Sequence, residues 1–147
     1  MLDKKIVKIR KVNASVDDIW HKWTTHEGLL TFFGAGNKIE LRIGGAFEIY
    51  FMMDQPYGTR GAEGCEVLSF LPKKMLSFSW NAPPQFDAIR NGSDNTWVVV
   101  EMMEDGSATK ITLTHLGWLE GEDWNAVYDY FVNAWDMVMD NLVKSCS

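Results

Sequence analysis

Cysteine is scarce in this chain. Cys65 lies inside a strand-like run and Cys146 next to the end, and two such residues make neither a disulfide framework nor a metal spacing. Histidine is almost as rare: His21, His26 and His115 are scattered, with no HxH or HExxH arrangement, so no metal and no cofactor are expected. Positive charge is in deficit, with 14 Lys and Arg against 20 Asp and Glu, and the net charge of −6 argues against a nucleic-acid partner. No apolar run approaches the roughly 20 residues of a membrane span. Met1-Leu2-Asp3-Lys4-Lys5 lacks the apolar core of a signal peptide. Together these absences predict a cytoplasmic protein with reduced thiols, and 147 residues predict one domain over 1–147.

Aromatic residues, by contrast, are plentiful: seven Trp and eight Phe, each able to bury roughly 150–250 Å². They are densest in one stretch. From about Glu122 to Ser145, Trp124, Tyr128, Phe131, Trp135, Val138 and Leu142 recur at spacings of three and four, with Val127 beside them. That places them on one stripe of a long helix. Asn125, Asp129, Asn133, Asp136 and Asp140 fall opposite, and acids at the start with Lys144 at the end suit the helix dipole.

Earlier in the chain, Lys4 to Val12 alternates as a strand, with Val7 and Ile9 on its apolar face and Lys8 and Arg10 on its solvated one. Ser15 begins a capping-box-like start for a short helix to about Thr25. Leu29, Leu30, Phe32 and Phe33 make a second helical turn. From Asn37 the period changes to two. Strands are expected to Ile43, over Ala46 to Met53, Thr59 to Leu71 and Met75 to Trp80, then Thr96 to Met103 and Thr109 to Leu116. Between the last two pairs, Asn81 to Asn95 is far longer than a hairpin needs, and such connections are often functional.

The predicted order is β-α-α-β6-α: an α+β fold in which a curved seven-stranded antiparallel sheet wraps one long helix. Seven strands are wider than one helix, so a space lined by Phe, Trp and Met is expected between them.

Several segments resemble the START-like, helix-grip (SRPBCC) superfamily, and within it the activators of the heat-shock protein 90 ATPase. Leu29 to Gly34 resembles its "L..WFG" segment, Leu41 to Phe47 its "R.GG.F" hairpin and Gly61 to Pro72 its "G.V.EV.P" strand. Leu76 to Trp80 resembles "L.FTW", Thr109 to His115 resembles "T.LTLTH", and Trp135 with Leu142 keeps the terminal-helix spacing. Ile43 departs from the pattern, standing where a Pro commonly precedes the Gly pair. The resemblance implies the helix-grip fold, which hosts lipid carriers, hormone receptors, cyclase components and co-chaperone domains alike.

The leading expectation is a small apolar or amphipathic ligand held between sheet and helix, entering under the Asn81–Asn95 loop. Its predicted contacts are Phe51, Phe78, Trp80 and Trp97 from the strands, Phe86 from the loop, and Trp118, Tyr128, Phe131 and Trp135 at and on the final helix. One or two of Arg60, Glu101 and His115 would orient it. Glu48 is discounted, because it alternates with Phe47 and Ile49. Two other classes remain open: a chaperone-type protein partner, and a hydrolase or cyclase with His115 as base. The final helix also allows a homodimer seam, although two Trp at seam positions fit knobs-into-holes packing poorly.

Overall fold

In the computed structural model, which describes Met1 to Ser147, the chain runs β1 (Ile6–Val12), α1 (Val16–Thr24), α2 (His26–Leu30), β2 (Gly36–Ile39), β3 (Phe47–Tyr50), β4 (Val67–Leu71), β5 (Met75–Trp80), α3 (Asp87–Arg90), β6 (Thr96–Asp105), β7 (Ala108–Leu116) and α4 (Glu122–Ser145). Ser15 caps α1 as its sequence implies, its hydroxyl accepting the Asp18 amide at 3.1 Å.

All seven strands are present, divided into a five-stranded antiparallel sheet in the order β1-β7-β6-β5-β4 and a two-stranded sheet of β2 and β3. Isolated bridges, Ala46 to Glu66 and Tyr50 to Gly61, join the two. The strand expected from Thr59 starts only at Val67. The Glu63 carboxylate explains the delay: it accepts the amides of Gly58, Arg60 and Gly61, which a continuous ladder would have given to neighbouring carbonyls. β2 likewise stops at Ile39, so Leu41 and Ile43 are exposed.

The faces of β1 are inverted relative to the sequence expectation. Val7 and Ile9 are exposed, whereas Lys8 and Arg10 turn toward α4. Lys8 Nζ lies 3.0 Å from Asp136, and Arg10 reaches both Asp136 at 3.0 Å and Asp140 at 3.1 Å. The aspartates read as a solvated helix face are therefore the contact with the edge strand. Hydrogen bonds from Lys8 and Arg10 hold the Asp136 carboxyl below its ordinary range. With Asp136 43% exposed, each pair is worth less than about 1 kcal/mol, and the network fixes orientation more than stability.

On α4 the buried residues are Val127, Phe131, Trp135, Met139 and Leu142, and Trp124, Tyr128 and Val138 are only partly buried against the core. The core stripe is thus rotated slightly from the one the bulkiest residues mark, because Met139 takes an inner position. It packs against Leu76, Phe78, Val98, Val100, Ile111 and Leu113 in one continuous apolar cluster.

Candidate functional site

Between α4 and the sheets lies an open cleft of about 1010 Å³. One wall is the α2–β2 connection, Leu30 to Ala35. Phe51, Met52 and Arg60 to Ala62 supply a second, and Trp80, Asn81 and Pro83 to Gln85 a third. The last is a face of α4 that includes Tyr130, Ala134, Met137, Val138, Asn141 and Lys144. Its innermost surface is aromatic: Phe33 lies 5.6 Å from Trp80 and 5.7 Å from Trp135 between ring centroids, and the two indoles are 5.4 Å apart. The Trp80 Nε1–H is buried without a partner, an arrangement that costs about 1–3 kcal/mol.

Of the residues expected to contact a ligand, Phe51, Arg60, Trp80, Phe131 and Trp135 line this cleft. The others do not. Phe78 is fully buried and stacks on Phe47 at 4.0 Å. Phe86 rests on the Tyr130 ring at 5.8 Å, outside the lining, while its neighbours Pro83, Pro84 and Gln85 form the loop wall. Trp97 and Glu101 lie on the outer face of β6, because Val98, Val100 and Met102 take the inner one; Glu101 is exposed. Trp118 and Tyr128 pack edge to face at 5.1 Å, away from the cleft.

His115 is wholly buried, and both ring nitrogens are used. Trp135 Nε1–H donates to Nδ1 at 2.9 Å, which assigns the proton to Nε2; Nε2–H then donates to Thr96 Oγ1 at 2.7 Å. Thr96 in turn donates to the Trp80 carbonyl at 3.0 Å, and Trp118 Nε1–H donates to the His115 carbonyl at 3.0 Å. Burial pushes the imidazole down to about 3, so it is neutral at physiological pH. His115 is a core cross-link between α4 and the sheet rather than a base facing the cleft. Burial also pushes the Cys65 thiol up to about 12, leaving it unreactive.

The loop wall is held by an internal clasp. Arg90, on α3, donates to the carbonyls of Gly61 at 2.6 Å, Ala82 at 2.7 Å and Gly58 at 2.7 Å, and to Glu63 at 3.2 Å. Burial raises the Glu63 carboxyl, but the amides of Arg60, Gly58 and Gly61 outweigh that and hold it below its ordinary value. Glu48, discounted from its strand phase, is also buried; it accepts both Tyr50 OH, at 2.6 Å, and Tyr57 OH, at 2.9 Å, together with the Gly64 amide. All four residues of the short β3 are buried, so alternation carries no information there.

Sequence reasoning found Phe131 and Trp135 but missed the rest of the helix side of the cleft. Tyr130, Ala134, Met137, Asn141 and Lys144 recur at four, three, four and three, a second stripe beside the core one. The readable signal was Ala134, too small to fill the space opposite it.

Residues 13–146 match the family described as activator of Hsp90 ATPase homolog 1-like protein. The chain belongs to this family. Its fold is the helix-grip type of the START-like superfamily. The AHSA1-like chain is similar to a crystal structure of a protein from Mesorhizobium loti, with 20% identity, 97% of this chain and 96% of the other covered, and a TM-score of 0.76. It is also similar to the Aha1 dimer from Colwellia psychrerythraea, with 19% identity over 97% and 96% of the two chains and a TM-score of 0.71. An HSP90 activator from Plasmodium falciparum shares 18% identity over 94% of this chain and 92% of its own, with a TM-score of 0.70. At such identities the likeness is one of fold. No curated protein sequence matches significantly. No helix is long and apolar enough to cross a membrane.

Proposed function

We propose that this AHSA1-like chain binds a small apolar or amphipathic ligand in the cleft between its sheets and α4. The observation that carries the proposal is the cleft's own surface: about 1010 Å³ with 14 hydrophobic residues among the 25 that line it. Exposed apolar side chains also reach its rim. Leu30, Phe51, Met52 and Met137 are all more than a third exposed, Met137 by 68%. A contiguous apolar patch around a concavity is the usual mark of a binding site. Burying roughly 400–500 Å² of ligand apolar surface would yield about 10–12 kcal/mol; an association cost of about 4 kcal/mol would leave about 6–8 kcal/mol, which corresponds to micromolar to tens-of-micromolar binding.

Trp80 and Trp135 lie in the wall, so ligand entry should change intrinsic fluorescence. Thermal shift and fluorescence titration against lipids, sterols and aromatic polyketides should give saturable changes with at least one class. Ala134→Trp narrows the cleft from its helix side and should weaken that binding about tenfold or more while the fold is retained. If no class changes either signal, or Ala134→Trp binds as the parent does, the proposal fails.

A further inference from the structure

We infer that the cleft selects an anionic amphiphile, an apolar tail carrying a carboxylate, with the carboxylate held by Arg60. The inference rests on the cleft being the ligand site proposed above and adds the charge of what enters it. The chain has 20 acidic residues, yet none lies among the 25 that line the cleft, and the two charged side chains there, Arg60 and Lys144, are both cations. Three acids on or beside the elements that form these walls are engaged elsewhere. Asp136 and Asp140 of α4 turn to Lys8 and Arg10, and Glu63, three residues from Arg60, pairs its side chain with Arg90. Arg60 and Lys144 themselves form no ion pair.

Arg60 is also positioned for the task. Its Nε–H donates to the Gln55 carbonyl at 2.7 Å, which fixes the guanidinium plane, and its two terminal nitrogens are left without a protein acceptor. A free guanidinium edge matches a carboxylate with two parallel hydrogen bonds. Lys144, on the last turn of α4, adds a second positive charge to the same cleft. A neutral ligand would leave both cations unused, and a cationic one would meet only like charge. Apolar walls with an acid-free, doubly cationic lining in a chain of net charge −6 therefore fit an acid with an apolar body.

The test uses matched sets on two scaffolds: dodecanoate, dodecanol and dodecylamine, and 2-naphthoate with its alcohol and amine. Each is titrated against the full chain by calorimetry below its micelle concentration. The carboxylate of at least one set should bind about five- to tenfold more tightly than its alcohol, with the amine weakest. That preference should shrink as salt rises. Arg60→Gln should abolish most of it by weakening the carboxylate far more than the alcohol, Arg60→Lys should restore part, and Lys144→Gln, on an exposed turn, should remove a smaller share. Equal affinity for acid and alcohol, or an Arg60→Gln variant that weakens both alike, overturns the inference and leaves the ligand reading standing. Binding of no member of either set also overturns the inference, while the ligand reading stands or falls on the broader panel of lipids, sterols and aromatic polyketides.

Discussion

Replacing His115 with phenylalanine keeps a ring of similar size in the core and removes both of its polar contacts. At pH 8 the change orphans the Trp135 Nε1–H, now donated at 2.9 Å to Nδ1, in a residue that is 1% exposed. An unsatisfied buried donor costs about 1–3 kcal/mol, and loss of the Nε2–H bond to Thr96 about 1 more, so the variant should be about 2–4 kcal/mol less stable. Acid narrows the gap. The imidazole titrates near 3 in the folded protein and near about 6.5 in the unfolded chain. As pH falls below about 6.5 the unfolded state takes up the proton first, and parental stability drops by up to about 1.4 kcal/mol per pH unit until the folded site titrates. By pH 5 this loss reaches about 2 kcal/mol relative to pH 8. The variant lacks the group, while the carboxylates common to both proteins cancel in the comparison. Urea denaturation followed by far-ultraviolet circular dichroism, at pH 8, 6 and 5, should therefore show the two stabilities converging. A gap that stays constant from pH 8 to 5 would refute the buried, neutral imidazole.

Two further perturbations probe the frame of the cleft. Arg90→Leu leaves Glu63, whose side chain is 6% exposed, without its cation and three carbonyls without their donor. A cost of about 3–5 kcal/mol is expected, with faster hydrogen exchange in both 56–64 and 81–95; unchanged exchange in either segment would sink the clasp. Gly117→Ala places a Cβ 2.7 Å from the Trp97 ring at a φ of +97°. Strain and overpacking should together cost about 2–4 kcal/mol and lower the melting temperature by about 5–15 °C. A shift under about 2 °C would contradict that geometry.

The element order, the antiparallel hairpins and the long terminal helix were legible because each rests on local periodicity and turn chemistry. Phe131 and Trp135 were legible as cleft residues for the same reason, since a helical stripe identifies its own inner face. The misreadings fall where a residue's partner is remote. Lys8 and Arg10 looked solvated because charge usually is, yet the edge strand turns them onto Asp136 and Asp140, more than 120 residues away. Glu48 looked outward-facing, but two tyrosines and a glycine amide enclose it. Glu101 and Trp97 looked inward-facing because their apolar neighbours alternate with others equally apolar; on β6, Val98 and Val99 cannot be told apart by hydropathy.

By itself, then, the sequence determined the order of the main helices and strands, though not the bounds of β2 and β4 or the short α3, and that a rich aromatic face must be covered by a sheet. Periodicity and burial of apolar area act along the chain, and they suffice for that. Tertiary structure decided which face of each strand is inner, that His115 is a neutral cross-link, and that the cleft carries cations and no acid. Those outcomes depend on pairings between distant residues and on burial depth, neither of which local spacing encodes.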